Sequence, residues 1–377
     1  MTAAESAPAQ DRFRSYALWV LLAAFTFHSF NIVRLSEQQP FGVDYAALWA
    51  GVKALGAGRS YDFAYVTALQ GWPFGPGNLR PYIYPPTAFF AFVPFATLPY
   101  WVGYIAWIAV TYAIVAWAGR RMGAPWWMVL FPLASLVAYC GQATFLIGGL
   151  VAAALTLRRR PILAGVLLGL AAAVKPQMLL LLPLALAADR QWRTFLAVGA
   201  TGLVLCVASV GLWGIDQWRM WIEALPRFQA EVILASPELL EDGLTPYAML
   251  ARNGLPGAWA FLLTPVAIAL VWQTFRRTQD PADRLIVLLG AALMISPYAM
   301  RYEAALLLPA VAAYLARTKD RVWPLYAAAA CFYASAPSYG FSPIAAALLL
   351  PLSTWLRTDA VGPTAGLWGT RSPQDAE

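Results

Sequence analysis

The feature that most constrains this 377-residue chain is a succession of apolar segments from end to end. They lie near residues 17–34, 100–118, 125–140, 143–157, 162–174, 176–188, 194–213, 257–275, 284–298, 302–316, 322–336 and 341–356. A straight helix needs about 20 apolar residues to cross a bilayer. Several of these segments are shorter, and the apolar residues 87–98 add a stretch that could enter the membrane partway. The pattern predicts an all-α polytopic membrane protein with about 12 transmembrane helices.

Composition supports a lipid environment. Hydrophobic residues make up 60% of the chain and charged residues only 12%, against about 25% charged residues in soluble domains. The 17 Trp and 17 Tyr residues suit the belts of aromatic side chains at membrane interfaces. The net charge of +7 is explained by basic cytoplasmic loops, so a nucleic-acid partner is not expected.

The basic residues set the predicted orientation. With the N-terminus in the cytoplasm, every short basic loop falls on the cytoplasmic side, as the positive-inside rule requires: Arg120/Arg121, Arg158–Arg160, Arg190/Arg193, Arg276/Arg277/Arg284, Arg317/Lys319/Arg321 and Arg357. Two long segments, 35–87 and 214–256, then lie outside. We expect one membrane-embedded domain over residues 1–357 and a disordered cytoplasmic tail at 358–377.

Cofactor chemistry finds little support. Cys140, Cys206 and Cys331 have no metal or disulfide spacing, and His28 is the single histidine. No Gly-rich phosphate loop is present, so a nucleotide substrate is not supported. No cofactor is predicted, and metal dependence is open.

Asp44 opens the first outer segment. Tyr45 and further apolar residues follow it at helical spacing, which predicts an amphipathic helix in the outer interface that ends at Gly56 and Gly58. The spacing alone favours Asp44 as the N-cap of this helix. Its alternative role, which does not exclude the first, is a general base at a membrane-surface site.

Further polar residues fall on the same outer side. Lys175-Pro176 interrupts an apolar stretch, and Lys175 either reaches to the interface or binds a phosphate. Arg301 and Glu303 flank Tyr302 and form either a surface ion pair or a site in which Arg301 binds phosphate and Glu303 orients a sugar. Ionisable residues at membrane depth are costly and usually functional.

Aromatic and amide side chains extend this set. Tyr82 and Tyr84 precede Pro85-Pro86, which form either a stiff lead-in to the membrane or, with the aromatic rings, a surface for sugars and lipids. Gly141-Gln142 permits a close turn and carries an amide that can bind hydroxyl groups. The segment 241–247 is either a cover for the site or a solvated connector.

These elements, taken in order, resemble the bacterial polyprenol-phosphate-sugar-dependent glycosyltransferases of family 87, which include mannosyltransferases. The resemblance covers roughly residues 15–320. It rests on an early outer-loop acid followed by Leu55-x-x-Gly58-x-x-Tyr61-Asp62, then Tyr84-Pro85-Pro86 with Leu98-Pro99, Gly141-Gln142, Gly165-x-x-x-Gly169 before Lys175-Pro176, and Ser296-Pro297 before Tyr302-Glu303.

The resemblance implies a GT-C-type fold in the bacterial inner membrane, with its active site facing the periplasm. It implies inverting transfer of a hexose, expected to be mannose, from a polyprenyl phosphate to a lipid or glycan acceptor. Asp44 matches the family's general base, and Lys175 and Arg301 match positions facing the donor phosphate. Tyr45, Tyr82, Tyr84, Gln142, Tyr302 and Glu303 complete the expected substrate-binding set. Some members carry histidine near the Ser-Pro motif, where this chain has Arg301, Tyr302 and Glu303, so the acceptor or the donor sugar can differ from theirs.

Two other classes of protein compete with an enzyme. A lipid or solute transporter or flippase also explains broken helices and charges within the membrane, but it predicts internal repeats and polar residues at the midplane. The sequence shows no repeat, and the polar positions gather toward one side. A non-enzymatic scaffold leaves that gathering unexplained.

Overall fold

The computed structural model describes residues 41–71, 79–126, 128 and 132–317, together with scattered positions between 19 and 34 and at 347, 348 and 351. Over these ranges the chain is helical and contains no β-strand. The α-helices are α1 Val43–Lys53, α2 Phe63–Gln70, α3 Phe89–Ala96, α4 Tyr100–Met122, α5 Pro132–Cys140, α6 Thr144–Thr156, α7 Pro161–Val174, α8 Leu182–Ala188, α9 Trp192–Trp213, α10 Ile215–Phe228, α11 Pro237–Glu241, α12 Pro246–Arg252, α13 Thr264–Arg277, α14 Pro281–Met294 and α15 Leu308–Arg317.

Shorter helical turns connect them. The 3₁₀ turns are Ala54–Ala57, Pro86–Ala88, Pro176–Leu179, Gly257–Leu263 and Arg301–Leu307, and the π turn is Gln229–Ile233. Proline begins several helices, where its missing N–H has no helical acceptor to lose.

Within the described ranges, three helical stretches are long and apolar enough to cross a membrane: Tyr100–Met122, Trp192–Trp213 and Gly257–Arg277. Shorter apolar helices occupy the predicted segments 87–98, 143–157, 162–174 and 176–188. The predicted number of spans is not confirmed by these helices and stays a prediction. The segments 322–336 and most of 341–356, and the tail 358–377, lie outside the described residues.

The core forms around α6 and α14, which are buried along nearly their whole length. In contrast, α9 exposes large aliphatic side chains, and Leu196, Leu203 and Val207 are each more than 60% exposed. An exposed apolar surface of this extent is expected where lipid takes the place of water.

The helix that follows Asp44 does not have the predicted two-faced character. In α1 the residues between the expected apolar positions are alanines and a glycine, and these small side chains pack inward as well. Only Lys53 is exposed along the helix. The prediction of an amphipathic surface helix at α1 is therefore wrong, although Gly58 does end the helical segment, in the left-handed region at φ 66°.

A helix with distinct faces occurs instead at α10. Trp221 and Ala224 pack toward the protein, whereas Ile222 and Leu225 are exposed on a second face. Its charged residues occupy a third face: Asp216, Arg219, Glu223 and Arg227. Such a helix suits the boundary between protein, lipid and water.

A cluster of charged residues lies where α8 ends and where α7 and α14 begin. Asp189, after α8, accepts hydrogen bonds from Arg284 at 2.8 Å and Arg158 at 2.9 Å. Burial acts to raise the pKa of Asp189, but the hydrogen bond and charge of Arg284 outweigh it and hold the pKa below its usual range. Since Arg158 precedes α7 and Lys175 follows it, the length of α7 separates this cluster from the polar residues near Asp44.

Candidate active site

A cavity of about 550 Å³ opens beside Asp44. Its walls come from separate parts of the chain: Asp44, Ala47 and Leu48 of α1; residues 79–84; Gln142 after α5; Phe228, Val232, Ala235, Ser236 and Leu239 around the π turn; and Tyr298 and Tyr302 after α14. A volume of this size accommodates a small organic ligand. One side of the cavity is polar and the other, around the π turn, is largely apolar.

Asp44 lies in the first turn of α1 and does not cap it. The N-cap is Gly42, at φ 78°, and no side chain makes the capping hydrogen bond. The prediction that Asp44 is the N-cap is therefore wrong, because the helix begins one residue before it. In the first turn a carboxylate is still favoured by the helix dipole, and its oxygens remain directed at the cavity rather than at backbone N–H groups.

Arg80 and Asp44 both line the cavity, and their side chains form an ion pair. The distance from Arg80 Nη1 to Asp44 Oδ1 is 3.5 Å, and the two side chains are 21% and 18% exposed. Burial raises the pKa of the Asp44 carboxyl above its ordinary value, while the charges of Arg80 and Lys175 and a hydrogen bond from Gln142 act against that rise. A carboxylate with a raised pKa is a better proton acceptor than an exposed one.

A chain of hydrogen bonds crosses the cavity next to Asp44. Tyr84 Oη donates to Gln142 Oε1 at 2.6 Å, and Gln142 Nε2 donates to Tyr302 Oη at 2.9 Å. Gly141 makes this possible, since at φ 76° a Cβ would stand 2.5 Å from the Cβ of Tyr45. These hydrogen bonds fix the hydroxyl groups of Tyr84 and Tyr302 and the amide of Gln142, which are suitable groups for binding sugar hydroxyls.

Lys175 is paired with a carboxylate. Its Nζ forms a short ion pair with Glu303 Oε1, and both side chains are nearly fully buried. The ammonium also lies 5.7 Å from the ring centre of Tyr84. Neither residue is among the described residues that line the cavity. The pair therefore lies behind the cavity wall formed by Tyr84.

Arg301 is paired outside the cavity wall as well. Its Nη2 lies 2.5 Å from Asp242 Oδ1, and its backbone N–H donates to the Asp242 carbonyl at 3.1 Å. A further bond from the Leu244 N–H to the Ala299 carbonyl, at 2.8 Å, joins the two segments. Part of the segment 241–247 is thus attached to the chain just before Arg301, while the cavity itself is lined by other residues.

The remaining predicted tyrosines differ in position. Tyr82 lines the cavity, and its ring stacks on Phe89 with centroids 4.9 Å apart. Tyr45 is buried among Tyr100 and Tyr104, with centroid distances of 5.5 and 5.7 Å, and it is not among the described lining residues. Tyr45 is therefore a core residue on the buried side of α1.

Several cavity residues were absent from the predicted set. Arg80, Phe228 and Tyr298 all line the cavity. Arg80 had a usable signal, because it stands two residues before Tyr82 in a predicted outer segment that is poor in cations near its end. Phe228 had none, since its place depends on how α10 folds back. In the described part of the chain, no group of three or more His, Cys, Asp and Glu side chains is arranged to hold a metal ion.

Together these groups define a site that can move a proton from a hydroxyl and hold an anion. A buried carboxylate faces a cavity that also contains a guanidinium and fixed hydrogen-bonding groups. This combination suits activation of an acceptor hydroxyl beside a negatively charged leaving group.

Comparison with known proteins identifies the class of protein. The family model described as "Glycosyltransferase family 87" matches residues 82–297, which is more than half of the chain. The chain therefore belongs to glycosyltransferase family 87, as the sequence resemblance predicted.

An individual relative supports the same assignment. The chain is 28% identical over 337 residues to the polyprenol-phosphate-mannose-dependent alpha-(1-2)-phosphatidylinositol mannoside mannosyltransferase of Mycolicibacterium smegmatis. The match covers 77% of this chain and 74% of the relative. No solved structure matches the chain.

Proposed function

We propose that the chain transfers a hexose, mannose by analogy with its relative, from a polyprenyl-phosphate donor to a lipid or glycan acceptor. One observation carries this proposal: in a member of a glycosyltransferase family, the carboxylate of Asp44 faces a cavity lined by a cation and by hydroxyl and amide groups of the kind that bind sugars. The donor class follows from the name of the relative, and the acceptor of this chain is left as a class.

In the proposed reaction Asp44 is the general base. The acceptor oxygen attacks the anomeric carbon of the sugar, and its proton passes to the carboxylate of Asp44. The bond from the anomeric carbon to the phosphate oxygen breaks, and the polyprenyl phosphate leaves with the electron pair. Because that group leaves as an anion, no general acid is needed. Attack opposite to the leaving group inverts the configuration at the anomeric carbon.

The other site residues have supporting roles in this proposal. Tyr84, Gln142 and Tyr302 orient the sugar through the hydrogen-bond chain described above. The sequence assigns donor phosphate to Lys175 and Arg301. In the structure both are held by carboxylates, so any contact of either with phosphate requires exchange of Glu303 or Asp242.

We further propose that the site faces the periplasm of a bacterial inner membrane. The basic cluster around Asp189 lies beyond the opposite ends of the helices that carry the site, where the positive-inside rule places the cytoplasm. A lipid-borne donor suits that side of the membrane, where the enzyme does not depend on nucleotide sugars.

The test is transfer by the purified full chain in lipid nanodiscs. With radiolabelled polyprenyl-phosphate mannose and an extract of bacterial membrane lipids, label should move to a new glycolipid or glycan. Asp44→Asn should lower the rate by about 10²–10⁴-fold, since this is the usual contribution of a general base. Uptake of label into sealed vesicles without any transferred product would support the transporter instead.

Asp62→Asn is the matched control. Asp62 lies in the same outer segment, caps α2 by accepting from the Tyr65 N–H at 3.0 Å, and is absent from the described cavity lining. Asparagine caps as well as aspartate, so this variant should retain its activity and stability. If Asp44→Asn transfers sugar as fast as Asp62→Asn, then Asp44 is not the base.

A further inference from the structure

We propose that Arg80 binds the phosphate of the donor, and that this contact draws its guanidinium away from Asp44 and leaves the carboxylate available as the base. The inference rests on the proposed glycosyl transfer and adds to it a phosphate ligand and a link between donor binding and the base. The sequence had assigned the phosphate to other cations.

The first argument is position. Among the cavity-lining residues that the structure describes, Asp44 and Arg80 are the charged ones. In the proposed inverting reaction Asp44 contacts the acceptor oxygen on one side of the anomeric carbon and the phosphate lies on the other side, so the phosphate occupies the same cavity but not the space against the carboxylate. Arg80 Nη1 lies 3.5 Å from Asp44 Oδ1, and its long side chain can turn from the carboxylate toward a phosphate elsewhere in the same cavity.

The second argument is that Arg80 is held at its backbone while its side chain faces the cavity. Its N–H donates to Thr67 Oγ1 at 3.1 Å, and its carbonyl accepts from Gln70 Nε2 at 2.6 Å. Pro81 follows and restricts the backbone further. A guanidinium on a fixed backbone can change from one acceptor to another without moving the loop, and its planar set of donors matches a phosphate.

The third argument concerns the alternatives. Lys175 is nearly buried against Glu303, so withdrawing it would leave a carboxylate that is 1% exposed without its ion pair, at a large energetic cost. Arg301 belongs to the contact between the chain before it and Asp242. The contact between Arg80 and Asp44, at 3.5 Å, is the longest of the three ion pairs, and Arg80 is the one of these cations that is among the described cavity-lining residues.

The proposed exchange has a chemical consequence. Without donor, the positive charge of Arg80 stabilises the ionised carboxylate and protects it from unproductive protonation. With donor, the phosphate takes the guanidinium and the carboxylate becomes more basic beside the acceptor hydroxyl. The base would thus reach full strength only when a donor is present.

Binding of a polyprenyl phosphate, measured without any acceptor, tests the inference independently of catalysis. The full chain in nanodiscs should bind it with an affinity that falls about tenfold to hundredfold in Arg80→Gln, the usual value of a charge-assisted hydrogen bond. Arg80→Lys keeps the charge but loses the planar donors, and it should lie between. Arg59→Gln is the control, because Arg59 is exposed and pairs with Asp62 away from the cavity.

A double-mutant cycle tests the exchange itself. Asp44→Asn releases Arg80 from its ion pair and should tighten binding of the polyprenyl phosphate by about fivefold, the upper value of an exposed pair. The gain should shrink when Arg80→Gln is already present. An equal gain in both backgrounds would mean that Asp44 only repels the ligand, and the proposed exchange would be wrong.

Further arms separate the possible outcomes. Inorganic phosphate and phosphatidylglycerol should compete weakly; competition by phosphatidylglycerol equal to that of the polyprenyl phosphate would reduce the site to a general one for anionic lipids and overturn the inference. If Arg80→Gln binds as tightly as the unaltered chain while Asp44→Asn still abolishes transfer, the inference fails and the proposed function stands. If the unaltered chain neither binds the polyprenyl phosphate nor transfers sugar, both fail.

Discussion

At the scale of the residue, the environment of Asp44 decides the pH range of the proposed reaction. Burial raises the pKa of its carboxyl above the ordinary 3.8, against the opposing charges of Arg80 and Lys175. A general base must be ionised, so kcat/KM should fall as pH drops through this pKa. We therefore expect kcat/KM to fall on the acid side at a pH above the ordinary pKa of aspartate.

The same contacts predict the direction in which Arg80→Gln shifts the acid limb of the pH profile of kcat/KM. Arg80→Gln removes a charge that lowers the pKa of Asp44, so its acid limb should move to higher pH. Arg59→Gln changes a pair that is absent from the described cavity lining and should leave the limb in place. The measurement is kcat/KM against pH, since this ratio reports the free enzyme. A limb that does not move in Arg80→Gln would show that the two charges do not interact in solution.

The site could be predicted from the sequence where a residue's position follows from its place beside an apolar segment. Tyr84, Gln142 and Tyr302 all fall at such ends, and the structure joins them in one hydrogen-bond chain. The pairing of Lys175 with Glu303 could not be predicted, because the two lie 128 residues apart and depend on the packing of separate helices. Arg80 has one sequence signal, its place two residues before the predicted site residue Tyr82.

At the scale of the element, apolar length was a good guide to helices but a poor guide to their surroundings. The segments 100–118 and 194–213 correspond to α4 and α9, whose ends extend to Met122 and Trp192. The same criterion mistook α1 for a surface helix, because alanine is neutral in a search for apolar faces yet packs readily against a neighbour. Burial of α1 depends on tertiary contacts with α3 and α5, which sequence periodicity does not contain.

Close packing of α7 on α9 gives a prediction for one element. A Cβ on Gly165 would stand 2.4 Å from Ala197 Cβ and 2.6 Å from the Thr194 carbonyl oxygen. Because one of these contacts is backbone, the helices must separate to admit even a methyl group. Gly165→Ala should therefore destabilise the protein by about 1–3 kcal/mol, the usual cost of overpacking. Thermal unfolding in detergent, followed by tryptophan fluorescence, measures this loss.

Gly199→Ala supplies the comparison on the neighbouring helix. A Cβ at Gly199 would meet no described atom within 4 Å, and α9 is exposed along most of its length. Alanine is also the better helix former by about 1 kcal/mol, so this variant should be neutral or slightly more stable. Equal loss of stability in the two variants would show that flexibility of glycine, rather than close packing, is what α7 and α9 require.

At the scale of the whole molecule, helices connect two polar ends of different character. The helix α4 has 23 residues and is thus about 34 Å long. Tyr100 at its start donates to the Gly42 carbonyl at 3.0 Å beside the candidate site. Met122 at its end accepts from Arg317, which also pairs with Asp280. One end of the molecule therefore holds the cavity and the other holds the arginine-rich connections.

This separation predicts opposite accessibility for two single cysteines. With Cys140, Cys206 and Cys331 replaced by alanine, Arg59→Cys tests the cavity end and Arg159→Cys tests the basic end; both native arginines are exposed. A membrane-impermeant maleimide should label Arg59→Cys in intact spheroplasts and Arg159→Cys only after the membrane is opened. The reverse result would place the cavity in the cytoplasm. There the rule that assigns basic loops to the inner face would fail for this chain, and transfer would have to use donor from the inner leaflet.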